Sequence, residues 1–192
     1  MKNELIRKGR ILLLLGFLGF VALTVAAADA EFSADLSIKT AAGFTMSGKT
    51  FVKGPMRRNE LTIGQRTMTT ILRQDKKLTW VLLPSSRQYR QSFLRSDPLN
   101  PTPEMPYTTK ELGPDKANGY DCKQILWIYK NPNLGSVLQW YCPALKTAVR
   151  YQLKDKAGTL ISTTDYRGVK PGPQADSLFE IPPGFTKVPG KE

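Results

Sequence analysis

The chain has 192 residues, with 28 Lys and Arg against 16 Asp and Glu, no histidine and a net charge of +12. Without histidine there is no Ser-His-Asp or Cys-His nucleophile, and the commonest general base and metal ligand are missing. The two cysteines form no Cys-x-x-Cys pair, and Gly54 and Gly64 are isolated, which excludes a redox motif and a phosphate-cradling loop.

In chain order, Lys2, Arg7, Lys8 and Arg10 precede an apolar run over residues 11–28, and Ala28-Asp29-Ala30 offers small residues ahead of Glu31. This is the pattern of an export signal cleaved after residue 30. An uncleaved inner-membrane anchor is the alternative, because about 18 apolar residues sit at the lower edge of a bilayer span. Cleavage removes four cations and two acids, leaving residues 31–192 as one domain with a net charge of about +10. Such a balance suits anionic head groups in an exported protein, and no aromatic-basic alternation points to nucleic acid.

The rest alternates and turns. Phe32, Ala34, Leu36 and Ile38 alternate with Ser33, Asp35, Ser37 and Lys39, the two-residue period of a half-buried strand. Further strands are predicted over 44–52, 56–63, 67–73 and 78–83, separated by turns at residues 41–43, 53–55, 64 and 74–77. Residues 85–91 extend that sheet or begin a short helix. The segment 95–107, with Pro98, Pro101, Pro103 and Pro106, reads as a loop over the surface or mouth of the sheet. A short strand over 108–112 leads to a turn at Gly119.

Residues 120–129 and 135–142 read as a hairpin about Asn131-Pro132-Asn133. Folding it about Pro132 pairs Trp127 with Val137, Leu126 with Leu138 and Cys122 with Cys142, within bridging distance for a disulfide. One face of this hairpin carries Cys122, Leu126, Ile128, Leu138 and Trp140, and the other Ile125, Trp127, Tyr129, Val137 and Tyr141. Both faces are apolar, so either both are covered by protein or one lines a cavity. Strands over 149–154 and 159–166 follow, then a helical turn near 174–178 and a closing segment to Phe185. Nine or ten short strands argue for an antiparallel sheet curved into a half-barrel or barrel.

The acids Asp35, Glu60, Asp75, Asp97, Glu104, Glu111, Asp115 and Asp121 are scattered, without the spacing of a calcium loop. No metal or cofactor is expected, and only a carboxylate-pair hydrolase survives as an enzyme reading. A non-enzyme is expected. Arg57 and Arg58 suit an anionic head group or a partner's carboxylate, or a solvated strand end. Trp80 reads as core or as ligand contact.

The stretch from Gly48 to Gln91 resembles the LolA-like outer-membrane lipoprotein-sorting proteins and an exported domain group close to them. The resemblance is carried by Lys53, Gly54, Met56 and Arg57, then Arg73 and Asp75, then Trp80, Leu82, Pro84 and Tyr89. Gly113, Gly119, Tyr120 and Cys122 resemble the next segment, and Phe179, Ile181, Pro182, Gly184 and Phe185 the ending. The resemblance implies an incomplete antiparallel β-barrel with a hydrophobic cavity, capped by short helices or loops. It implies a periplasmic carrier for a lipid or lipoprotein acyl chain. The alternative is a protein-interaction or sensor module of the same fold, contacting an envelope membrane protein. Phe44, Met46, Phe51, Trp80, Leu82, Trp127 and Trp140 are the expected cavity lining.

Overall fold

The computed structural model describes residues 30–64, 66–94, 98, 99, 101 and 104–189; the expected signal segment lies outside them. One antiparallel sheet holds almost everything. Its strands are β1 (Glu31–Thr40), β2 (Thr45–Lys53), β3 (Met56–Ile63), β4 (Arg66–Arg73), β5 (Leu78–Leu83), β6 (Gln88–Phe93), β7 (Tyr107–Ala117), β8 (Tyr120–Tyr129), β9 (Ser136–Cys142), β10 (Thr147–Lys154), β11 (Leu160–Pro171) and β12 (Thr186–Lys187). They lie in the order β12-β6-β5-β4-β3-β2-β1-β11-β10-β9-β8-β7. The two edges do not pair, so the curved sheet is a half-barrel rather than a closed one. Helical structure among the described residues is limited to 3-10 turns of three or four residues.

Register assigns every side chain to a face, because directly opposed residues in an antiparallel pair point the same way. Phe32, Ala34 and Leu36 of β1 oppose Val52, Thr50 and Gly48 of β2. Across β11 and β10 the same face carries Tyr166, Thr164 and Tyr151, and across β9 and β8 it carries Val137, Gln139 and Trp127. Most of the larger buried cluster stands here, with Phe32, Leu36, Val137, Val149, Tyr151 and Tyr166. We call this the inner face. A Cβ at Gly48 would lie 1.7 Å from the Glu60 carbonyl oxygen. Only glycine lets β2 and β3 approach so closely on the inner side.

The outer face of β2–β6 carries a second cluster of Ile71, Trp80, Leu82 and Phe179, with Phe51, Met56, Leu78 and Tyr89 packed around it. Phe179, fully buried, comes from a 3-10 turn at Asp176–Phe179, so the C-terminal segment lies over the sheet as a strap. It then pairs β12 in parallel with β6, covering that edge.

Of the two readings of residues 85–91, extension of the sheet holds: one 3-10 turn at Pro84–Ser86 leads into β6. Two other sequence expectations are corrected. The strand expected over 108–112 runs on to Ala117, straight through Pro114. It can do so because β7 is the sheet's edge, where a missing N–H forfeits no second ladder, and a register shift between Glu111 and Gly113 absorbs the irregularity. The chain then reverses at Asn118 and Gly119, both with positive φ, the pair a two-residue hairpin favours. The helical turn expected at 174–178 is a 3-10 turn displaced to Asp176–Phe179.

The cysteine hairpin has the expected register. Trp127 opposes Val137, Leu126 opposes Leu138 and Lys123 opposes Tyr141, and the Cys122–Cys142 disulfide follows with a Cα–Cα distance of 4.1 Å.

Candidate functional site

The inner face is not equally packed throughout. From β1 outward to β6, its rows run Phe32-Val52-Arg57-Leu72-Thr79-Ser92 and Ala34-Thr50-Asn59-Thr70-Val81-Arg90, with Leu36-Gly48-Leu61-Met68 and the pair Leu83-Gln88 on the same face. The first positions are buried core. Met68, Leu72, Val81 and Leu83 are half-buried and stand outside both packed clusters. Thr50, fully buried, donates its hydroxyl to Asn59 Oδ1 at 2.7 Å, satisfying the polar row between the two apolar ones.

Near the sheet's other edge an aromatic lip stands on β7 and β8. Tyr107 stacks on Trp127 with ring centroids 5.2 Å apart and meets Tyr129 edge-on at 5.6 Å. The proline-rich crossover from β6 to β7 ties these two sides together. Leu94 N–H donates to the Lys77 carbonyl, and Glu104 pairs with Lys77 at 3.6 Å. At the lip, the Tyr129 hydroxyl donates to the Pro98 carbonyl at 2.6 Å and Lys130 N–H to that of Pro106. Met105 is buried in the inner cluster and Leu99 packs against it. The described part of the segment expected over the mouth therefore contributes core side chains there.

The residues expected to line one cavity are spread over several places. Met46 and Trp127 are on the inner face, half-buried against the inner cluster. Phe51, Trp80 and Leu82 stand on the outer face under the strap. Trp140 also stands on the outer face by register, its indole N–H donating to Asp115 Oδ2 at 2.8 Å and its ring under the Arg150 guanidinium at 5.6 Å. Phe44 is 73% exposed in the turn between β1 and β2. The seven share no single surface, because residues of odd separation along a strand point to opposite faces.

Arg57 and Arg58 divide in the same way. Arg57 is in an inner row; Arg58 is on the outer face, where it pairs with Glu60 at 2.7 Å and donates to the Leu178 carbonyl at 3.1 Å. Arg73 does more of the same work. It pairs bidentately with Asp75, reaches Glu180, and donates to the Phe179 carbonyl at 3.1 Å. These contacts raise its pKa above the ordinary arginine value, the Asp75 bond contributing most. Asp75 is correspondingly held below 3.8. At Glu180 burial pushes upward, yet the Arg73 and Lys76 contacts together hold the carboxyl below 4.5. Lys53 closes the series on Asp176 at 2.7 Å.

At the opposite half, Asn118 donates its amide to the Val149 and Tyr166 carbonyls and to Asp165 Oδ1, and Arg150 bonds both Asp165 and the Asn118 amide oxygen. The Trp140 bond, with help from Gln124 and the Lys116 N–H, lowers the Asp115 pKa. These are partnered structural groups. Among the described residues no set of three His, Cys, Asp or Glu could hold a metal ion, and no helix is long and apolar enough to cross a membrane.

Sequence reading missed the inner-face residues Met68, Leu72, Val81 and Leu83. A signal existed: 78–83 is nearly continuously apolar, the mark of a strand with both faces covered.

The sequence matches no protein-family model and no curated protein. Solved structures do match. An uncharacterised conserved protein from Thermus thermophilus is similar with a TM-score of 0.63 at 11% identity, over 85% of this chain and 93% of its own. MucB in the Pseudomonas aeruginosa MucA/MucB complex is similar with a TM-score of 0.52 at 10% identity, over 80% of this chain and 56% of MucB. A LolA superfamily protein from Nitrosomonas europaea also matches, with a TM-score of 0.43 at 15% identity, over 81% of this chain and 94% of its own. The likeness to the Thermus protein and to MucB, at 10–12% identity, extends to the fold alone.

Proposed function

We propose that the protein is an exported, non-enzymatic binding or carrier protein that shelters a lipid or lipoprotein acyl chain on the inner face of its half-barrel. Export rests on the cleavable signal pattern in residues 1–30, with residues 31–192 as the working domain. The observation that carries the reading is the incomplete packing of one face. Met68, Leu72, Val81 and Leu83 stand half-buried beside a filled core, on the same face of the sheet as the Tyr107-Trp127 lip. Each methylene sheltered there would contribute about 0.8 kcal/mol, so an acyl chain needs little beyond a dry concave wall. Of the residues the sequence suggested, Met46 and Trp127 remain in the proposed lining, with Arg57 as a cation of its first inner row. Phe51, Trp80 and Leu82 instead belong to the strap-covered cluster.

The test is uptake of a fluorescent fatty acid in vesicle-free solution, with native mass spectrometry of protein purified from envelopes. Saturable uptake is expected, and it should fall at least severalfold in Leu72→Glu and Val81→Glu while Phe44→Ser leaves it unchanged. No uptake by the wild type, together with no co-purifying lipid, would overturn the reading.

A second reading has its own support. MucB, similar in fold, was solved in complex with MucA, so this fold is compatible with a protein partner. An envelope interaction module that carries no lipid would show a stable partner in cross-linked envelopes and no acyl uptake.

A further inference from the structure

The antiparallel register sends alternate hairpin turns to opposite ends of the sheet. Thr40, Thr45, Ile63, Arg66, Leu160, Lys154, Ser136, Tyr129 and Tyr107 all lie at one end, as the pairings Lys39–Thr45, Ile63–Arg66, Thr40–Ser162, Lys154–Ser136 and Tyr107–Tyr129 require. Five hairpins that are consecutive across the sheet, including the polar one between Leu83 and Gln88, therefore put their tips on this end.

Exposed large apolar side chains concentrate there. Phe44 is 73% exposed, Ile63 and Ile128 47%, Ile161 44%, and Leu160 and Tyr107 38%. The opposite end of the sheet carries Phe93, at the terminus of β6, and the last exposed apolar residue, Leu112, sits mid-way along β7. Burial cannot explain this, since none of these residues is needed by either core cluster. The Ala41 N–H donates to the Ile161 carbonyl at 2.9 Å, so two of the apolar tips are locked side by side.

Cations stand among them: Arg66, Lys130 and Lys156, all exposed. The acid in these tips, Asp155, is turned inward, its Oδ1 accepting the N–H groups of Ala157 and Thr159. A cleft of about 300 Å³ opens between the last two tips, with Ile128, Pro132 and Lys156 in its wall. The other end is basic as well, through Lys76, Lys77, Lys116 and Lys146. Charge alone therefore does not choose between the ends; the apolar tips do.

We infer that this end is a docking surface for an anionic phospholipid bilayer. Exposed aromatic and aliphatic tips enter the head-group boundary while interspersed Lys and Arg meet lipid phosphates, the combination that interfacial binding requires. A patch of this kind is otherwise costly on a soluble surface. Apart from Tyr107, which also belongs to the lip, the inference involves the rim rather than the inner rows proposed for the acyl cargo.

The experiment compares two reporters in the same full-length chain, so that anchoring by residues 11–28 affects both equally. Phe44→Trp and Phe93→Trp are each mixed with vesicles containing acyl-brominated phosphatidylglycerol, and the fluorescence gained over wild type is followed. The Phe44→Trp signal should shift blue and be quenched, and the Phe93→Trp signal should not. Combining Arg66→Gln, Lys130→Gln and Lys156→Gln should weaken vesicle association about fivefold per cation removed. Equal quenching at both positions, equal quenching on pure phosphatidylcholine, or no quenching on any vesicle would overturn the inference. Fatty-acid uptake measured without vesicles should be unchanged by the same substitutions, which separates this test from that of the cargo.

Discussion

The two halves of the sheet solve the same problem in different ways. In β1–β6 apolar residues occupy both faces, so the outer one needs a cover, and the strap at residues 174–188 supplies it with Phe179, Leu178, Ile181 and Phe185. In β7–β11 the outer face instead carries a polar network of Asn118, Arg150, Asp165, Asp115 and Trp140, and the half is stapled by Cys122–Cys142. The contrast teaches that an apolar outer face can be closed in two ways. One is a second layer, as over β3–β6. The other is a disulfide and hydrogen bonds at its margin, as on β8 and β9, where Leu126, Leu138 and Trp140 share the outer face with Cys122 and Cys142. It also bears on why Met68, Leu72, Val81 and Leu83 stay half-buried on the inner face: the strap packs on the outside.

Breaking the strap should have the largest effect. Phe179→Ala removes a fully buried ring and is expected to cost about 3–5 kcal/mol in urea unfolding, with Trp80 emission shifting red as its cover loosens. Unchanged stability would mean that the strap does not hold the first half together.

Opening the disulfide should come next. Paired Cys122→Ser and Cys142→Ser, closing a loop of sequence separation 20, should lose about 3 kcal/mol by the chain-entropy account. The loss should appear in amide exchange of β8 and β9 before that of β4 and β5. Equal loosening of both halves would show that they unfold as one unit.

Arg73→Met tests the polar fastening of the strap. It leaves the Phe179 carbonyl and the Asp75 carboxylate without Arg73 and Glu180 with Lys76 alone, and about 1–3 kcal/mol should be lost, again read by urea unfolding. Acid should act on the same contacts more gently. The folded-state values of Asp75, Asp176 and Glu180 lie below 3.8, 3.8 and 4.5. Their stabilisation is thus fully present above those unfolded values and is lost as pH falls through the lower folded ones. Thermal midpoints should hold above pH 5 and decline below pH 4 in wild type, with a shallower decline in Arg73→Met. The smallest effect belongs to the tips: Phe44→Ser should stay within about 0.5 kcal/mol of wild type, because a side chain 73% exposed contributes little to folding.

Much of this organisation was legible from residue order. Alternation in 32–38 located β1, the turn at Asn131-Pro132-Asn133 set the hairpin register, and that register placed the two cysteines opposite each other. These are local matters, governed by the two-residue period of a strand and the chemistry of turns. The missing histidine likewise excluded histidine-based catalysis without any coordinates. The assignment of faces was not legible. Trp80 and Val81 are neighbours in sequence and stand on opposite faces, and nothing local states which face the strap covers.

That choice belongs to tertiary structure. Which face of β4 and β5 is covered depends on where residues 178–185 come to rest, about a hundred positions downstream. The gathering of Phe44, Ile63 and Ile161 at one end depends on the order in which the strands assemble. Local sequence fixes period and register because those are decided by neighbours along the chain and across a tight turn. Burial is decided by whatever long-range partner arrives, and no short window of residues contains that information.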